Sequence, residues 1–215
     1  MGTRNLTCVQ VNDKIKVAKY CQWDGYPSGQ GKTIINFILN DFDKDVFLKK
    51  LRFVRKITDK EMKDAYISVG IDPKSEWINL EQANRFKEAY PYLDRDMGGD
   101  ILLFIQNLDD KIALSYDKDF ALDGLFCEWC WVLNLDKDSL DVYSGFSEVA
   151  ETSIFCPTIE EAEKHKHVCT DTTYYPVVKI DSIPFCYIRM FPDSIIDRIN
   201  QCYESFEKKY KCTTK

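Results

Sequence analysis

Histidine is nearly absent from this chain: there are two in 215 residues, His165 and His167, both in a charged late segment. Ser-His-Asp and Cys-His arrangements take their general base from histidine, so catalysis of that kind is poorly supplied. An excess of positive charge is missing as well. The chain carries 35 acidic residues against 29 Lys and Arg, a net charge of −6. Proteins that coat DNA or RNA need clustered cations, so a nucleic-acid polymer is not an expected partner. A small anionic ligand is still admitted, because a pocket needs only a few local cations. No run of about 18 apolar residues occurs, and the opening MGTRNLTCVQVNDK has no apolar leader core. Together these absences point to a cytoplasmic protein without a membrane partner. Repeats, low-complexity tracts and Pro/Gly linkers are also lacking, so one domain over 1–215 with a sizeable core is expected. Homo-oligomerisation is left open.

Cysteine, by contrast, is plentiful: 8, 21, 127, 130, 156, 169, 186, 202 and 212. In a reducing cytosol most of these serve as small buried hydrophobes. Cys127-Glu-Trp-Cys130 and His165-Lys-His167-Val-Cys169 have spacings that suggest zinc. The first lies in a strand-like run, where a separation of three sends the sulfurs to opposite faces; the second lacks a partner pair. No metal or other cofactor is expected.

Turn and cap chemistry outlines the elements. Asn12-Asp13 joins β-rich runs at Asn5–Val11 and Lys14–Gln22 into a hairpin. A helix is expected from Lys32 to Asn40, with Ile34, Phe37 and Ile38 on one face. Asp43 opens a second helix carrying Phe47, Leu51 and Val54, and its basic run Lys49–Lys56 reads as a solvated face. Thr58 with Glu61, and Asn79 with Gln82, open two more. Gly98-Gly99-Asp100 breaks the chain and caps a helix over ILLFIQN. Later strands are expected at Lys111–Tyr116, Leu125–Leu135, Leu140–Ser144 and Tyr174–Ile183. A short helix follows Thr158, and Pro192 begins a long one carrying Ile195, Ile199, Cys202 and Phe206. The fold class is therefore α+β: a mainly antiparallel sheet built from N-terminal and later hairpins, a helical middle and a long C-terminal helix.

The stretch Tyr20-CQWDGYPSGQGKTIINFI-Leu39 draws the most attention. Its Gly31-Lys32-Thr33 suggests a P-loop, but the first glycine of that motif belongs at position 26, where Tyr26 stands. Lys14, Lys16 and Lys19 also stud the preceding strand, whereas P-loop strands are almost wholly apolar. The sequence still places Gly29, Gln30 and Gly31 in a helix first turn capped near Ser28, with amides free to meet an anion, and Lys32 follows. Trp23 and Tyr26 offer rings for stacking, and Asp24 an acceptor for a ribose hydroxyl or base edge. Equally, Trp23 and Tyr26 can plug the core while Asp24-Gly25 makes the turn.

Thr3-Arg4, Tyr20-Cys21, Trp23-Asp24-Gly25-Tyr26-Pro27 and the spaced glycines resemble a family of bacterial and phage proteins that carries no settled activity. The block Leu125-Phe-Cys-Glu-Trp129 through Leu135-Asp136 to Val142-Tyr143-x-Gly145-Phe146 is similar to that family's second hairpin. The resemblance covers about a quarter of the chain. Relatives often carry His just before the Trp, a position held here by Gln22.

Glu128 sits among Phe126, Cys127, Trp129 and Cys130, where a lone carboxylate would be costly, and Arg4 is the partner expected if the two hairpins share a sheet. That pair either fixes the sheet or faces a ligand at the mouth of the loop. The leading expectation is a non-catalytic protein that sequesters a small nucleotide-type ligand, with Arg4, Trp23, Asp24, Tyr26, Ser28, Gln30, Lys32 and Glu128 as its contacts. The phage side of the resemblance implies a sponge for a host immune signal. The alternatives are a hydrolase of nucleotide or amide bonds using Glu128 or Asp24, and an interaction protein without a small ligand.

Overall fold

The computed structural model describes residues 2–75 and 77–211. In chain order the elements are β1 (Asn5–Val11), β2 (Lys14–Cys21), α1 (Lys32–Asn40), α2 (Lys44–Leu51), β3 (Val54–Lys56) and α3 (Asp59–Ser68). Next come α4 (Leu80–Ala89), α5 (Ile101–Gln106), β4 (Ile112–Leu114), β5 (Trp129–Asn134), β6 (Ser139–Ser144) and α6 (Ile159–Lys164). The chain ends with β7 (His167–Cys169), β8 (Thr172–Tyr174), β9 (Val178–Pro184), α7 (Phe185–Met190) and α8 (Ile195–Tyr210).

The fold is α+β, and its main sheet has the strand order β2-β1-β5-β6-β9. Every pairing in that sheet is antiparallel except β1 with β5, where the two hairpins meet side by side. The parallel register sets Asn5 opposite Trp129 and Gln10 opposite Asn134. Both faces are covered. On one, Val9, Val17, Trp131, Leu133 and Val142 pack against apolar side chains of α1, α5, α7 and α8. On the other, Leu6, Cys8, Ala18, Cys130 and Tyr143 lie beneath Ala121, Cys127, Phe155 and Val177. Double coverage is why β5 is buried at every position and apolar from Trp129 to Leu133. A third, smaller cluster joins Ala65, Ile71, Phe86 and Leu93 around α3 and α4.

Local chemistry explains most element boundaries. Asn12 and Asp13 both have positive φ, 52° and 56°, as the β1–β2 turn requires. Asp136 then fastens that turn to the second hairpin, accepting from the amides of Asn12 and Asp13 at 2.7 and 2.9 Å. Burial works against its ionisation, but these amides and Gln10 outweigh it and hold the carboxyl below its ordinary value. Asp43, Thr58, Asn79 and Thr158 cap their helices through side-chain oxygens, the middle two in full capping boxes.

Several expectations are corrected. Helix α2 ends at Leu51, and Val54 belongs to β3, which pairs in parallel with β4. The basic run therefore straddles a helix end and a strand. Asp100 stands at the N-cap of α5 but its side chain makes no capping bond; a 3₁₀ turn at Gly98–Asp100 feeds the helix directly. The strand expected from Leu125 begins only at Trp129, because the amides of Phe126 and Cys127 turn back to the Asp123 carbonyl. Cys127 and Cys130 consequently share one apolar layer with Cys8 rather than facing opposite ways. Burial pushes both thiols well up, which keeps them protonated and poor as metal ligands. The strand expected over Tyr174–Ile183 is broken at Tyr175–Val177, where Pro176 has no amide to give, and α7 was not anticipated. Cys202 lies on α8 but is only half-buried. Cys212 lies outside the described residues.

Candidate functional site

Residues 23–31 connect the edge strand β2 to α1, and the sheet holds them from beneath. The Gly25 amide donates to the Thr3 carbonyl at 2.9 Å, and the Asn5 side-chain amide donates to the Trp23 carbonyl at 3.1 Å. The indole of Trp131, fully buried on β5, donates to the Gly25 carbonyl at 3.2 Å. A Cβ on Gly31 would come within 2.7 Å of that same indole. The Trp23–Pro27 block and the second hairpin around Trp131 are thus in direct contact: one supplies the loop, the other the surface it rests on.

The loop's backbone is spent on itself. Pro27–Gly31 forms one wide π-type turn that runs straight into α1, and no side chain caps it. The amides of Gly29 and Gly31 donate to the Tyr26 carbonyl at 3.0 and 3.2 Å, and that of Gln30 to the Asp24 carbonyl at 2.8 Å. The helix start expected to present these amides to an anion has none of the three to offer, because the turn closes on its own carbonyls. Gly29 is needed for the same reason: a Cβ there would lie 2.3 Å from the Asp24 oxygen. Asp24 adopts φ 55° at the corner.

The expected contact residues divide into two sets. Trp23 and Tyr26 are 45% and 52% exposed, so neither plugs the core. Asp24, Ser28 and Lys32 are exposed beside them. Gln30 is turned inward, and its Oε1 accepts from the Gly99 amide at 2.7 Å, tying the loop to the turn before α5. Arg4 and Glu128 come together as the shared sheet requires. The Arg4 amide donates to Glu128 Oε1 at 3.2 Å, its Nε lies 4.0 Å from the same oxygen, and its guanidinium stands 4.3 Å over the Phe126 ring. About a fifth of each side chain is exposed (23% and 21%), so the pair lies at the surface rather than sealed within it.

Concave space lies next to the loop. A cavity of about 310 Å³ opens over the edge of β2, lined by Lys19, Tyr20, Tyr66, Arg95, Ser115 and Asp117, among others. The Gln22 amide bonds the Arg95 carbonyl at 3.3 Å, so the rim of this cavity adjoins the start of the loop. Lys19 is only 2% exposed. Burial lowers its pKa, against the opposing pull of Asp117, Asp94 and Asp96. The signal for this residue was in the sequence: Lys19 keeps the two-residue spacing of the buried Ile15 and Val17, which Lys14 and Lys16 do not share. A larger cavity of about 520 Å³ runs along α8, but its Lys179, Arg198 and Lys209 already pair with Asp141, Asp181 and Glu151.

Among the described residues, no group of three His, Cys, Asp or Glu is arranged to hold a metal ion, and no helix is long and apolar enough to cross a membrane. No protein-family profile, curated protein or solved structure matches this chain significantly.

Proposed function

We propose that this chain is a non-catalytic binding protein that captures a small nucleotide-type ligand on the face formed by the Trp23–Gly31 loop. Its biological form would be sequestration of a nucleotide signal. The observation that carries the reading is the exposure of Trp23 and Tyr26 on a loop whose backbone is pinned to the sheet. Soluble proteins do expose single aromatics, but two within four residues on a pre-organised turn make a stacking surface that needs little ordering on binding. Base–aromatic stacking is worth about 1–3 kcal/mol per base. Asp24 supplies an acceptor for a sugar hydroxyl or base edge, and Lys32 and Arg4 supply positive charge for phosphate. With the loop amides consumed, side chains rather than a helix end would bind the anion.

Thermal shift against a panel of mono-, di- and cyclic nucleotides tests this directly. At least one nucleotide should raise the melting temperature of the wild type and lose that effect in Tyr26→Ala. A flat response across the panel would sink the proposal. Hydrolysis by Asp24 or Glu128 is the competing reading; steady conversion of a bound nucleotide during incubation with a divalent cation would favour it.

A further inference from the structure

The cavity over the edge of β2 encloses a charge that the protein leaves underused. An ammonium has three donors. That of Lys19 finds one acceptor among the described residues, Ser115 Oγ at 3.2 Å, and no carboxylate within ion-pair reach. None of the acids whose charge acts on it bonds its ammonium: Asp94 pairs with Lys87 at 3.2 Å, Asp117, in the cavity wall, accepts from the Tyr20 amide at 3.1 Å, and Asp96 lies beside Arg95 at 3.8 Å with its buried Oδ1 unbonded. A buried cation with open donors is costly unless something pairs with it. The remaining walls say what fits. Arg95 adds a second cation at the rim, and Tyr20, Tyr66 and Phe120 supply rings, with Tyr20 and Phe120 edge to face at 4.9 Å. At about 310 Å³ the space lies at the lower end of small-molecule sites, room for one ring and one charged group.

We propose that this cavity is a binding site for a small oxyanion carried on a single aromatic ring, separate from the Trp23–Gly31 loop. The oxyanion sits against Lys19 Nζ and the Ser115 hydroxyl, filling the open donors, with Arg95 closing over it. The ring lies among Tyr20, Tyr66 and Phe120. Phosphate and carboxylate share this chemistry, and paired probes separate them.

Isothermal titration of the full chain with phenyl phosphate, benzoate and phenol is the test. One of the two anions should bind saturably, with a Kd of about 1 mM or tighter, and phenol should not. The anion that binds more tightly identifies the oxyanion. Lys19→Met, which keeps most of the length of the side chain and removes its charge, should weaken binding by about tenfold or more. Should that variant fail to fold, Arg95→Gln at the rim carries the test, with a several-fold loss expected. Saturable binding of neither anion, phenol binding as tightly as the anions, or anion binding untouched by the substitutions would each overturn the site.

Discussion

Among the described residues, Asp141 and Lys19 are the two charged side chains that the fold buries most completely, and it treats them in opposite ways. Asp141 is saturated. Ser139 donates to it at 2.9 Å, Asn134 at 3.1 Å and Lys179 at 2.8 Å, and Ser182 completes the set. These bonds outweigh the effect of burial and hold its carboxyl below the ordinary value. Lys19 has a single hydroxyl. The difference separates a charge that fixes structure from one that awaits a partner. The same criterion divides the Trp23–Gly31 loop. Its amides and Gln30 are committed to the fold, whereas the rings of Trp23 and Tyr26 are about half exposed.

The comparison breaks first at Asp141. Asp141→Ala leaves Lys179, Asn134 and two serines without their shared acceptor, and should cost about 3–5 kcal/mol in chemical denaturation. Acid titration gives the sign independently. A carboxyl whose folded pKa lies below its ordinary value of 3.8 stabilises the fold above that pH and loses the contribution as pH falls through the folded value. The gap in stability between wild type and Asp141→Asn should therefore narrow below pH 3.8. A gap that widens there would contradict the assignment.

Lys19→Met should go the other way. Replacing an unpaired buried ammonium by an apolar group of similar volume is expected to leave the free protein unchanged or to stabilise it by about 1 kcal/mol. A loss as large as that of Asp141→Ala would mean that Lys19 is paired in a manner the geometry does not show. The smallest pair of effects lies within the loop. Gln30→Ala removes the acceptor of the Gly99 amide and should cost about 1 kcal/mol, while Tyr26→Ala should stay within about 0.5 kcal/mol of wild type. Equal losses for the two would erase the division between scaffold and surface.

Much of this arrangement was legible in the sequence. The turn at Asn12-Asp13, the caps at Asp43, Thr58, Asn79 and Thr158, and the apolar face of α1 are local signals, and each marks an element that forms. The pairing of Arg4 with Glu128 followed from one inference, that the hairpins share a sheet. What escaped was set by contacts distant in the chain. The packing of Gly31 depends on Trp131, a hundred residues further on, although its amide, like that of Gly29, closes on the nearby Tyr26 carbonyl. Whether Lys19 is a solvated stud or a buried cation depends on the segment around Ser115 that covers the edge of β2. Alternation along β2 pointed inward at that position, but charge composition argued for solvent, and tertiary cover decided it.

The most direct test of the loop as a capture surface is mass spectrometry of small molecules released by heating protein purified from cells, with wild type and Tyr26→Ala compared side by side. The account predicts that a nucleotide-type molecule is recovered from the wild type in near-stoichiometric amount and is depleted in the variant. Equal recovery from both, or release of nothing from either at matched protein concentration, would contradict it.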